Sequence, residues 1–258
     1  MLILKPPQAM SSPILKANSD SVSDSDSATV KPGRQLVKPT PMRKAIARRM
    51  SQSKQQAPHF YVSCEIAMDA VIEATAKLND KPDQETRVTL TAMMLKAIAL
   101  TLAEEPAFNA HWTENGHELI EEINIGVAID IPAGLIAPAI VNCAELNVGD
   151  FSSRLKDLAE RAKMGKLRAA EMNDATFTLS NLGMFEVSSF TAIVTPPQVA
   201  ILATGKSYPM PRVVDGEIVV QTIMTATLSS DHRAVDGVGA ARFLGNLKEL
   251  LESPNDWL

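Results

Sequence analysis

The chain has 258 residues, enough for one large domain or two small ones with a buried core. A formal net charge of −5, with 45% hydrophobic and 21% charged residues, gives no support to a nucleic-acid binder that relies on a basic surplus. No apolar run approaches the ~18 residues of a membrane span, the start MLILKPPQAM lacks the apolar stretch of a secretory signal, and Cys64 and Cys143 have no CxxC partner, so a span, export, a disulfide framework and a zinc site are not expected.

Residues 1–38 read as a flexible tail or linker, because the stretch 19–27 (SDSVSDSDS) is polar, acidic and flanked by prolines, too poor in apolar area to offset its ordering entropy. The remainder, 39–258, reads as one domain. Thr40-Pro41 caps and opens a helix carrying Met42, Ile46 and Met50 on one face and Arg43, Lys44, Arg48, Arg49 and Lys54 on the other. A strand is expected over 59–66, a helix over 68–78 and an apolar helix over 91–103. The alternation over 123–131 predicts a strand, and 135–141 another after a Pro-Ala-Gly turn. An amphipathic helix follows over 148–163, then strands over 176–179, 199–204 and 217–228, and a closing helix over 237–252. Strands and helices interleave without a βα repeat, which predicts an α/β sandwich with a mixed sheet covered by helices. Neither GxGxxG nor GxxxxGK[ST] occurs, so nothing marks a dinucleotide or P-loop site.

Two stretches carry candidate chemistry. Residues 229–237 (SSDHRAVDG) join a long strand to a helix, a boundary where catalytic groups are often mounted, and contain one of only four histidines in HxxxDG spacing. Read alone, His232 fits a base or a hydrogen-bonded strand-end histidine equally. In 176–185 (TFTLSNLGMF), Ser180 stands where a strand meets a glycine-containing turn, fitting either a hydroxyl donor in a cleft or a turn residue. No GxSxG surrounds it, which argues against a hydrolase-type nucleophile.

Six segments in order then carry a resemblance: 42–50 (MRKAIARRM), 53–61 (SKQQAPHFY), 132–138 (PAGLIAP), 177–185 (FTLSNLGMF), 196–202 (PPQVAIL) and 231–237 (DHRAVDG). Together they resemble the catalytic domain of the dihydrolipoamide acyltransferases of 2-oxo-acid dehydrogenase complexes. That domain has the two-layer fold of CoA-dependent acyltransferases such as chloramphenicol acetyltransferase. The wording SNLGMF is most similar to the acetyl-transferring, pyruvate-type members. The rival functions are a non-catalytic structural core and a small-molecule O-acetyltransferase.

The resemblance implies transfer of an acyl group between dihydrolipoamide and coenzyme A, with no metal. His232 matches the family's general base. Taking a proton from a thiol of pKa ~8.5 with an imidazole of pKa ~6.5 is uphill by roughly 2.7 kcal/mol, tolerable when the two are held together. Ser180 matches the hydroxyl that donates to the oxyanion, and Asp236 matches a carboxylate expected to fix local structure through an arginine, with Arg43, Arg48 and Arg49 as candidates. The resemblance also implies a homotrimer that assembles into a larger shell, with histidine and serine supplied by different subunits. Its partners would be a lipoyl-bearing domain and the 2-oxo-acid dehydrogenase and dihydrolipoamide dehydrogenase enzymes, in bacterial cytoplasm or the mitochondrial matrix. Neither a lipoyl domain nor a partner-binding domain is recognisable in 1–40, so the lipoyl carrier is expected not to be attached to this chain.

Overall fold

A computed structural model describes residues 34–80 and 86–258. The chain divides into two units, Met1–Lys38 and Pro39–Leu258. The expected tail lies almost wholly outside the described residues; within it, 34–38 are exposed and have no regular secondary structure.

Helix α1 (Pro41–Gln56) starts where the sequence predicts: the Thr40 hydroxyl accepts the Arg43 N–H at 3.2 Å, and proline occupies the first turn. Strand β1 (His59–Ala67), α2 (Asp69–Asn79) and α3 (Leu90–Glu104) follow. Alanine, leucine, isoleucine and methionine cover most of α3, so it is buried nearly all round, packed against the two long helices that come later in the chain.

A hairpin, β2 (Ala110–Thr113) with β3 (Gly116–Leu119), was not foreseen, although Asn115-Gly116 is a hairpin signal. The single strand expected over 123–131 is broken in two. Its first part, β4 (Ile125–Val127), pairs with β7 (Ala139–Ile140) in the main sheet, while β5 (Ile129–Ile131) and β6 (Gly134–Ile136) form a separate ribbon. The break has a clear cause. Pro138 accepts from Val127 but has no N–H to return, so the β4–β7 pairing ends there, while the Ala128 N–H continues the pairing with β8 at the Leu179 carbonyl, 3.0 Å away. Gly126 is required beside the break, since a Cβ there would lie 2.9 Å from the Thr178 hydroxyl.

Helix α4 (Val148–Lys163) opens with a reciprocal capping box between Asn147 and Asp150, and the short α5 (Ala169–Asn173) was also not foreseen. Arg161 of α4 grips Glu171 of α5 with two bonds of 2.6 Å, the side chains being 17% and 8% exposed. Hydrogen bonding from Arg161 holds the Glu171 carboxyl below the usual glutamate range. A lowered folded-state pKa contributes stability above the unfolded pKa that is lost as pH falls through the folded one. Glu171→Gln is therefore expected to lower stability at pH 7 by about 1–3 kcal/mol, between exposed and fully buried pairs. That deficit should shrink as pH falls below the ordinary glutamate value of about 4.3 and on through the lowered folded-state value; thermal melts at pH 7 and in acid check it.

The last elements are β8 (Phe177–Asn181), β9 (Ala200–Thr204), β10 (Tyr208–Val214), β11 (Glu217–Asp231) and α6 (Gly237–Glu252). The mixed sheet runs β1-β11-β9-β8-β4-β7, with β10 paired to β11; β4, β8 and β9 are mutually parallel and the other pairings antiparallel. Leu179, Leu202 and Leu228 on one face of the sheet belong to the core with α3, α4 and α6. Phe108, Phe177 and Phe243 stack at its centre, with centroids 4.9 and 5.5 Å apart.

Candidate active site

Strand β11 continues three residues beyond its predicted end, because Ser229, Ser230 and Asp231 are buried between β1 and β9. His232 follows directly. Its backbone N–H donates to the Pro58 carbonyl at 2.9 Å, and its ring packs on Phe60 with centroids 4.7 Å apart. The ring itself is exposed and has no hydrogen-bond partner among the described residues.

The other three histidines differ. His59 bonds the Ala57 carbonyl at 2.8 Å and accepts the Val194 N–H at 3.0 Å; His111 and His117 reach the Ala175 and Ala107 carbonyls, each at 3.1 Å. A strand-end histidine kept for structure would be bonded like these. The His232 imidazole is left available.

The residues flanking it hold the turn. Asp231 is 2% exposed, and its carboxylate accepts the Arg233 backbone N–H at 3.0 Å and the guanidinium at 2.6–3.1 Å. The guanidinium lies 4.8 Å from the centre of the Trp112 ring, and the Trp112 backbone N–H donates to the Pro197 carbonyl. Sequence reasoning passed over this trio; the charged pair two residues apart inside DHR was the available signal. These residues border a cleft of about 750 Å³, also lined by Gln52, Gln56, Pro196 and Gln198.

The Asp236 carboxylate caps α6, accepting the Gly239 N–H at 2.8 Å, and no arginine bonds to it among the described residues. The sequence offers both roles, but a carboxylate one residue before a helix is already satisfied by the helix's open N–H groups. Of the expected arginines, Arg49 donates to the Pro196 carbonyl.

Ser180 is the penultimate residue of β8, half-buried, and its hydroxyl likewise has no partner among the described residues. The turn after it is tightly specified. Asn181 accepts the Gly183 N–H at 2.7 Å and donates to Thr91 at 3.2 Å, and the Leu182 N–H reaches the Thr204 carbonyl. Gly205 closes the far side: a Cβ there would sit 2.0 Å from the Ser188 carbonyl oxygen.

The sheet keeps these two groups apart. Ser180 pairs with Ala203, and Ala203 with Thr227, which is five residues before His232 on a strand running the opposite way. Five residues along a strand and two strands across amount to roughly 20 Å. One chain does not bring Ser180 and His232 together.

The cysteines offer no alternative nucleophile. Burial pushes the Cys64 thiol up to about 11 and Cys143 to about 12, so both stay protonated at neutral pH. Among the described residues no group of three or more histidine, cysteine or carboxylate side chains could hold a metal ion.

The profile of the 2-oxoacid dehydrogenases acyltransferase (catalytic domain) family matches residues 31–258. The chain belongs to that family. It is 38% identical over 221 residues to the dihydrolipoyllysine-residue acetyltransferase component of the pyruvate dehydrogenase complex of Rickettsia felis, covering 85% of this chain and 54% of that protein. The mitochondrial component of Schizosaccharomyces pombe is 40% identical over 218 residues, covering 83% and 45%. The chain thus spans about half the length of the curated relatives it matches.

Solved structures agree with this family membership. The Azotobacter vinelandii dihydrolipoamide acetyltransferase, described with the roles of a serine, a histidine and an asparagine in its catalytic mechanism, superposes with a TM-score of 0.82 at 30% identity, covering 86% of this chain and 93% of that chain. The cubic core of a pyruvate dehydrogenase multienzyme complex gives 0.83 at 29%, covering 91% and 98%. A chloramphenicol acetyltransferase, at 14% identity and 0.55 over 79% and 94%, shares the fold, as the sequence predicts.

Proposed function

We propose that this domain transfers an acetyl group between dihydrolipoamide and coenzyme A at a site shared by two copies of the chain. One observation carries the reading: the two unbonded groups, His232 and Ser180, stand at opposite ends of one sheet, so each end completes the other only in a neighbouring copy. The Azotobacter relative supports the residues. Its mechanistic serine and histidine are 52 positions apart and its asparagine four further on, the spacings of Ser180, His232 and Asp236 here. This chain departs from it in carrying aspartate at the last position, and that aspartate's task is to hold the turn by capping α6.

In the reaction, an imidazole nitrogen of His232 takes the proton of the coenzyme A thiol as the sulfur attacks the thioester carbonyl of the acetylated dihydrolipoamide. The Ser180 hydroxyl of the facing copy donates to the oxygen that becomes negative. Collapse of the tetrahedral intermediate forms the new thioester and expels the dihydrolipoamide thiolate, which recovers the proton from His232. No metal is needed, because the charge developed is one oxyanion. We assign the acyl donor to a lipoyl-bearing domain, with 2-oxo-acid dehydrogenase and dihydrolipoamide dehydrogenase as partner enzymes, in the bacterial cytoplasm or the mitochondrial matrix. The scaffold reading has nothing to favour it, since both groups are present and unengaged.

Two measurements test this. Acetyl-CoA should outrun succinyl- and isobutyryl-CoA in acylating free dihydrolipoamide; no transfer from any of the three would sink the proposal. In sedimentation the active protein should be a trimer or a larger particle, and a fully active 27.8 kDa monomer would overturn the shared site.

A further inference from the structure

Asp231 closes β11 on the sheet face opposite to Phe60: its register partner on β1 is His59, partners share a face, and consecutive strand residues alternate. The His232 ring rests on Phe60, and the acid one residue before it makes no bond to that ring. Every hydrogen bond that the Asp231 carboxylate accepts among the described residues comes from Arg233. The two side chains are 2% and 34% exposed.

An acid buried this deeply is costly as a bare charge, and it favours a cation on any titratable group beside it. Two imidazoles stand there. His59 is committed, because its Nδ1 donates to the Ala57 carbonyl while its Nε2 accepts the Val194 N–H, and a second proton would cost the latter bond. His232 has no hydrogen bond among the described residues to lose. An imidazole that already holds the proton cannot take one from a thiol. The other charged side chains on the elements packed here are engaged elsewhere or lie in water. On α1, Lys54 donates to Tyr61 and Arg49 to the Pro196 carbonyl; Asp236 caps α6, and Glu114 between β2 and β3 is exposed.

We propose that Arg233 is a positioning residue for the base: it fixes the turn that presents His232, and by cancelling the Asp231 charge it leaves the imidazole free of a proton. The stack on Trp112 serves the same end, since it pins over the acid a guanidinium that borders an open cleft. The proposal rests on His232 being the general base.

The acid limb of kcat/KM, which reports the base of the free enzyme, tests it in acetyl transfer from acetyl-CoA to dihydrolipoamide. Arg233→Gln leaves the carboxylate uncancelled, so the limb should move to higher pH by about one unit. The loss against the parent should then be about tenfold greater on the limb than on the plateau. Asp231→Asn leaves the guanidinium uncancelled, and its limb should move the other way. Arg233→Lys keeps the cation and should keep the parental limb. A role confined to the turn predicts the same loss at every pH, so limbs that stay in place in Arg233→Gln and Asp231→Asn overturn the proposal. If Arg233→Gln does not fold, Asp231→Asn decides alone, because a lone guanidinium at the cleft is open to hydration; a limb unmoved or raised there overturns it. Parental turnover in His232→Ala would sink the general base itself, whereas an unmoved limb in an enzyme that needs His232 sinks only the role of Arg233.

Discussion

His232→Ala is expected to lower turnover by about 10²–10⁴-fold, the usual contribution of a general base, while the assembled particle and its thermal midpoint stay close to those of the parent. The structural half of this expectation comes from the ring's surroundings. The imidazole is exposed, accepts and donates no hydrogen bond among the described residues, and touches Phe60. What anchors the position is its backbone N–H to the Pro58 carbonyl, which alanine keeps. Removing such a side chain costs what an ordinary surface substitution costs, within about 0.5 kcal/mol. Turnover and thermal midpoint measured on one sample settle the matter. A stable, assembled variant that keeps more than about a tenth of parental turnover lies outside the range for a lost base, and the assignment of His232 would then be withdrawn.

Ser180→Ala should reduce turnover by about 10²–10³-fold, the typical loss for one oxyanion donor. The Michaelis constant for coenzyme A should hardly change, because the hydroxyl acts on charge that exists only in the transition state. The turn after β8 should survive, since it is built from Asn181, Gly183 and the Thr204 carbonyl and not from the serine hydroxyl. A variant as fast as the parent would return Ser180 to a turn role. The two variants together give a sharper experiment. Unfolded, mixed and refolded as one preparation, His232→Ala and Ser180→Ala chains should recover activity that neither has alone, because some sites then receive an intact histidine from one copy and an intact serine from another. A site contained in one chain predicts no recovery.

Much of the fold was legible where the determinants are local. Helix α6 occupies its predicted residues 237–252 because a capping aspartate and an apolar stripe lie within its own sequence. Strand β10 was missed for the opposite reason. Pro209 and Pro211 suppress any strand signal, and they are tolerated only because β10 pairs on one side alone. The division of 123–131 between two sheets was invisible as well, since it depends on which strand faces Val127, and there the partner Pro138 has no N–H to return.

The sequence by itself determined the chemistry available: a histidine and an aspartate in HxxxDG spacing after a strand, a serine before a glycine turn, and six ordered segments that identify the family. Tertiary structure alone decided how those groups relate. It left the His232 ring without a hydrogen bond among the described residues while tying down the other three histidines, turned Asp236 into a helix cap, and paired Arg233 with Asp231. It also set Ser180 and His232 roughly 20 Å apart. That distance follows from strand direction and register, because β11 runs antiparallel to β9 and β8, and pairing between segments more than twenty residues apart leaves no local trace in either of them.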